Sequence, residues 1–175
     1  MNVRFRLAAI FALSCAWLLT GCRRENSARI DYSMGERVPI GPLTYTIIES
    51  SWQTQLGDVL KLRIPQQRFL LIRLAVTNGG GSEVSIPLLQ LESYNGQNYR
   101  EVEDGEGVTS WLGLLRTLRP AETLQGQIVF DVPLTSYRLR VPDGAGPGDE
   151  KYAWVSIPLH MEVDAFSTRS RTSLL

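Results

Sequence analysis

The chain has 175 residues with 18 basic and 18 acidic side chains, a formal net charge of zero, 15 glycines and 9 prolines. Its arginines are scattered singly through strand-like stretches, which excludes the basic patch that a nucleic-acid binder uses to neutralise phosphates. One histidine, His160, and two cysteines, Cys15 and Cys22, are too few for a multi-ligand transition-metal centre or a histidine-based triad, and no Gly-x-Ser-x-Gly elbow is present, so no enzyme activity, resident metal or cofactor is expected.

Residues 1–21 read as an export signal: Arg4 and Arg6 stand before an apolar run from Leu7 to Thr20, closed by small residues. That run is shorter than the roughly 20 residues needed to cross a bilayer core. Its end, Leu19-Thr20-Gly21-Cys22, resembles the lipobox of bacterial lipoproteins. The resemblance implies that the Cys22 thiol takes a diacylglyceryl group, that the chain is cut before Cys22 and that the new amine is acylated. Partnership with a membrane through those acyl chains follows. Two alternatives are a transmembrane anchor, which leaves the small-residue cut site unexplained, and cleavage as an ordinary secreted protein. Cys15 is a rival attachment point, but Ala12-Leu13-Ser14 lacks the large-then-small order. In proteobacterial lipoproteins a residue other than aspartate after the cysteine is associated with the outer membrane, so Arg23 favours its periplasmic face if the source has two membranes.

Removal of Arg4 and Arg6 from the 18 basic residues leaves 16 against 18 acidic ones, a net charge of −2 for the cleaved chain. With Cys22 acylated, no disulfide can form, and the fold must rest on burial alone. Residues 22–35 are polar and without alternation, as expected of a flexible tether.

From Glu36 the chain reads as short strands. Pro39 confines the first, Glu36–Ile40, to a sheet edge. In Leu43–Trp52 the residues Leu43, Tyr45 and Ile47 alternate with Thr44 and Thr46; the period slips at Ile47-Ile48, where a β-bulge would restore it. Gln53–Gln67 reads as a short edge strand or a long loop. Arg68–Asn78 is the strongest strand and is expected to be central, with Leu70, Ile72, Leu74 and Val76 on one face. Asn78-Gly79-Gly80-Gly81 ends it with residues that tolerate positive φ. Asn95-Gly96 between strand-like runs predicts a hairpin with a two-residue type I′ turn. An acidic loop, Glu101–Glu106, follows. Trp111, Leu114, Leu115 and Leu118 fall at helical spacing, so one or two helical turns are predicted there; Trp111–Leu115 is either an apolar partner contact or a plug for the end of a sandwich. Leu124, Gly126, Ile128, Phe130 and Val132 face inward and Gln125, Gln127 and Asp131 outward. Tyr137–Val141 and Tyr152–Ile157 alternate likewise, around a loop rich in glycine and proline. Residues 160–175 are expected to be a disordered tail.

The fold class is all-β: an antiparallel β-sandwich of about seven to nine strands over residues 36–159. Arg68–Asn78 and Leu118–Pro133, the latter with its Leu-x-Pro-x-Glu start and Phe-Asp-Val-Pro end, resemble a family of bacterial lipoproteins and secreted proteins. That family carries a single immunoglobulin-like domain of unknown function, similar to the immunoprotective extracellular antigen of mycobacteria. The resemblance implies an immunoglobulin-like sandwich and supplies no catalytic or binding residue. The expected function is therefore a noncatalytic, lipid-anchored binding or interaction module of the cell envelope, with an envelope protein as partner. The alternative is a small-ligand or ion carrier in the periplasm or at the cell surface, holding calcium between Glu101–Glu106 and Asp143, Asp149 and Glu150. The sequence lacks the regular oxygen-ligand spacing of a dedicated calcium loop.

Overall fold

The computed structural model describes residues 31–146 and 148–160. Within them run β1 (Asp31–Tyr32), β2 (Arg37–Ile40), β3 (Leu43–Gln53), β4 (Phe69–Asn78), β5 (Val84–Ser85), β6 (Gln90–Ser93), β7 (Asn98–Arg100), β8 (Thr117–Leu118), β9 (Thr123–Asp131), β10 (Tyr137–Pro142) and β11 (Tyr152–Ile157). One sheet has the order β1-β11-β10-β6-β7, the second β2-β3-β4-β9, and β5 and β8 form a short ribbon. The fold is all-β. No helix among the described residues is long and apolar enough to cross a membrane.

Alternation builds the core between the two large sheets, because every second side chain of a strand faces the same way. Leu70, Ile72, Leu74 and Val76 of β4 meet Ile128 and Phe130 of β9, and from the facing sheet Leu91, Tyr137, Leu139, Val141, Val155 and Ile157, all buried. β4 lies between β3 and β9, as its two apolar faces predict, and its outer face is covered too: Phe69, Val129 and Leu56 form a second buried cluster with Leu71, Val102 and Val108 packed against it. Pro39 stands in β2 at a sheet edge, where a missing N–H costs no ladder bond. The register between β3 and β4 shifts between Ile47 and Glu49, so the expected bulge is present and turns Ile48 outward. Tyr137 opens β10 and donates its hydroxyl to the Pro133 carbonyl at 2.7 Å, pinning the crossing from β9 into the other sheet as a tyrosine corner does.

Three local expectations are corrected. Asp31–Tyr32, within the stretch expected as tether, is a strand paired in parallel with Trp154 and Val155 of β11; two residues are too few to show alternation. The Asn95-Gly96 hairpin has a three-residue loop. Ser93 and Gln97 face each other, Gly96 N–H donates to the Ser93 carbonyl at 2.9 Å, and only Gly96 has positive φ, because the Ser93 hydroxyl holds Gln97 N–H and the Asn95 side chain. The predicted helical turns at Trp111–Leu118 are absent: Leu112 N–H donates to the Gln127 carbonyl at 3.0 Å and the Ser110 carbonyl accepts from Gln127 N–H at 2.9 Å. Backbone pairing with the β9 edge outcompetes the local helical spacing. Of the two readings of Gln53–Gln67, the long loop is the one present: it follows Gln53, the last residue of β3, and is closed by a lone antiparallel bridge between Leu56 and Arg63. Gly79, Gly80 and Gly81 do not adopt positive φ; Gly80 is needed for space, since a Cβ there would lie 2.7 Å from the Pro42 Cβ.

Gly126 has a comparable role. A Cβ on it would approach the Ser110 carbonyl oxygen to 2.4 Å, so this inward position stays bare to let the 110–112 segment close on β9.

Candidate functional site

Leu19, Thr20, Gly21 and Cys22 lie outside the described residues, as do residues 1–30 in general. His160 is exposed just beyond β11. Among the described residues no three His, Cys, Asp or Glu side chains gather as a metal site. Several of the acidic groups considered for calcium have other partners. Glu101 is buried and forms a two-pronged ion pair with the equally buried Arg116, while also accepting from Leu89 N–H at 3.1 Å. Asp104 lies 3.6 Å from Arg63 and Glu106 3.0 Å from Lys61. Asp143 accepts from the N–H groups of Ala145 and Lys151 at 3.0 and 3.2 Å, holding its own loop.

The Trp111–Leu115 segment divides between its two expected roles. Leu112 enters the main core and Trp111 packs on Gly105, whereas Leu115 is 96% exposed. A second apolar tip was not singled out in the sequence: Val59 and Leu60, 97% and 92% exposed, project from the 54–65 loop. Asp58 accepts from the N–H groups of Leu60 and Lys61 at 2.9 and 3.0 Å, and the ion pairs to Glu106 and Asp104 tie the loop down. Both tips are borne by segments packed along β9 and its outer face.

The outer face of the five-stranded sheet carries a different array. Alternation places Gln90, Glu92, Arg138, Arg140, Tyr152 and Trp154 there, none fully buried. Glu92 accepts from Arg138 at 3.1 Å and from the Trp154 indole at 3.2 Å. Arg138 also lies 3.7 Å from Asp31 and stacks on the Tyr94 ring. Arg140 donates to Gln90 Oε1 at 2.8 Å and lies 4.3 Å above the Tyr152 ring. Tyr152 in turn donates its hydroxyl to the Glu150 carboxylate, and that bond, with burial second, raises the tyrosine pKa. Beside these residues opens a cleft of about 200 Å³, lined by the apolar Pro87, Leu88 and Pro142 and by the polar Gln90, Arg140, Glu150 and Tyr152. The Arg-x-Arg alternation in β10 was the available sequence signal, but nothing in it told which arginine would be neutralised.

The family model described as "Domain of unknown function (DUF4352)" matches residues 32–150, most of this sandwich. The chain belongs to the DUF4352 family. No curated protein sequence matches it significantly. This DUF4352 domain is similar in fold to the yjhA protein of Bacillus subtilis, at 17% identity over 72% of this chain and 98% of that one, with a TM-score of 0.55. It is similar to ycdA of the same species, a candidate lipoprotein, at 16% identity over 72% of this chain and 39% of that one, with a TM-score of 0.56. The secreted protein MPT63 of Mycobacterium tuberculosis matches at 16% identity over 75% and 98%, with a TM-score of 0.50. The mycobacterial likeness read from the sequence is thus one of fold.

Proposed function

We propose that the protein is a lipid-anchored lipoprotein of the cell envelope whose β-sandwich is a noncatalytic interaction module. The observation that carries the reading is Leu19-Thr20-Gly21-Cys22 at the end of a short apolar run with a basic front. A lipoprotein candidate and a secreted protein among the similar folds are in keeping with an envelope or extracellular address. Attachment follows from transfer energy: each buried methylene contributes about 0.8 kcal/mol, and several acyl chains hold where one binds reversibly. The outer membrane, through Arg23, is the favoured leaflet for a two-membrane source. For partner contact, the exposed Val59-Leu60 and Leu114-Leu115 tips offer aliphatic surface on braced segments of one rigid frame.

The test is metabolic labelling with an alkyne fatty acid followed by detergent-phase partitioning. The native chain should be labelled and enter the detergent phase, whereas Cys22→Ala should be unlabelled and unprocessed; a labelled, normally cut Cys22→Ala product overturns the assignment. In cells, Leu60→Asp with Leu115→Asp should reduce crosslinking to envelope proteins while leaving the denaturation midpoint within about 0.5 kcal/mol, as exposed positions do.

A further inference from the structure

The two outward arginines of β10 differ in their partners. Arg138 has Glu92 and Asp31 as carboxylate partners, whereas Arg140 has no carboxylate within ion-pair distance among the described residues and makes one hydrogen bond, to the neutral Gln90. Stacking on Tyr152 and the bond to Gln90 fix the plane of its guanidinium, and it lines the 200 Å³ cleft. A guanidinium so held is a ready receptor for a planar anion, because its parallel N–H pair matches the two oxygens of a carboxylate. The same cleft is lined by the aliphatic surfaces of Pro87, Leu88 and Pro142 and by Glu150, whose carboxylate also accepts the Tyr152 hydroxyl.

We propose that this cleft binds a small monocarboxylate bearing an aliphatic substituent. The carboxylate pairs with Arg140 and the substituent lies against Leu88 and the two prolines. Glu150 disfavours a dianion such as phosphate by like-charge repulsion and can accept an N–H from an amide next to the carboxylate. The volume is below the roughly 300–1,000 Å³ of sites for drug-sized ligands, which restricts the occupant to about the size of one acylated amino acid. This site is separate from the apolar tips and does not depend on lipid attachment.

The experiment is a saturation-transfer NMR titration of the purified full-length protein in detergent. The probes are N-acetyl-L-leucine, its carboxamide, N-acetylglycine and inorganic phosphate. N-acetyl-L-leucine should bind saturably and outcompete N-acetylglycine, with the carboxamide and phosphate at least tenfold weaker. Arg140→Gln should weaken the acid at least tenfold, and Arg73→Gln, on the other sheet, should leave it unchanged. Leu88→Ser should erase the preference for leucine over glycine while retaining carboxylate binding, which decides the matter even where Arg140→Gln folds poorly. Absence of saturation by the acid, equal binding of acid and carboxamide, phosphate binding as tight as the acid, or an Arg140→Gln protein that binds as the native one does would each overturn the assignment.

Discussion

Tyr45 and Tyr137 are both fully buried, yet Tyr137 donates its hydroxyl to Pro133 while the Tyr45 hydroxyl has no hydrogen-bond partner among the described residues. Removing a satisfied hydroxyl loses about 0.5–1.5 kcal/mol, whereas an unpaired one already bears its desolvation cost. Tyr137→Phe should therefore lower the denaturation midpoint, and Tyr45→Phe should leave it unchanged or raise it. Burial raises both phenol pKa values well above the ordinary value near 10. The unfolded chain then releases protons that the folded chain keeps, so stability is intact below about pH 10 and falls as pH rises toward the folded values. Denaturant melts between about pH 8 and 11.5 should show this alkaline loss reduced in the double Phe variant. The Glu101–Arg116 pair is a third residue-scale test. Arg116→Met leaves a buried carboxylate unpaired and should cost about 3–5 kcal/mol, while Arg116→Met with Glu101→Leu should recover part of it, because an apolar pair needs no compensation. Equal stabilities of the single and double variants would contradict that account.

Among the elements, β9 tests the inward face most directly. Phe130 is fully buried between the sheets and Gln127 is part-exposed, its backbone bonded to the 110–112 segment. Phe130→Ala should cost about 3–5 kcal/mol through lost transfer energy and a residual cavity, and Gln127→Ala within about 0.5 kcal/mol; melts giving equal midpoints would show the facing to be wrong. The facing of β4, β9, β10 and β11 was legible because burial imposes period two on at least five consecutive residues. The bulge at Ile47-Ile48 was legible for the same reason, as a break in that period. What escaped depends on residues far apart in sequence. Val129 is buried on the second face of β9 only because Leu56 and Phe69 reach it, and Trp111–Leu112 is extended only because the β9 edge offers its amide and carbonyl groups. The hairpin was readable from Asn95-Gly96, but its three-residue loop also involves Ser93, whose hydroxyl accepts the Gln97 N–H while its own N–H keeps the ladder bond to the Gln97 carbonyl.

At the scale of the molecule, the fold needs no cysteine among its described residues, and β1 adds a strand that the polar sequence before Glu36 did not announce. A chain spanning residues 31–160 should show the same denaturation midpoint with and without thiol reductant. One starting at Glu36 should be less stable, since it loses the pairing with Trp154 and Val155, the packing of Tyr32 and Met34, and the Asp31–Arg138 ion pair. Identical midpoints for the two lengths would show β1 to be ornamental. The candidate cleft was the least legible feature. Its walls come from Pro87-Leu88, Arg140-Pro142 and Glu150-Tyr152, three segments that only the sheet order β11-β10-β6 brings side by side.

The borders of the second sheet bear on how such molecules behave in numbers. β9 ends that sheet, but Val102 N–H donates to its Val129 carbonyl and Ser110 and Leu112 bind Gln127, so the middle of its free edge is covered; at the opposite border Pro39 of β2 has no N–H to offer. Sheets with open borders grow by adding strands from neighbours. Molecules confined to two dimensions meet far more often than the same number free in solution, as any tethered pair does. For a membrane-anchored population, as proposed above, a border covered at its middle on one side and interrupted by proline on the other hinders this sheet from knitting a crowd of neighbours into fibrils.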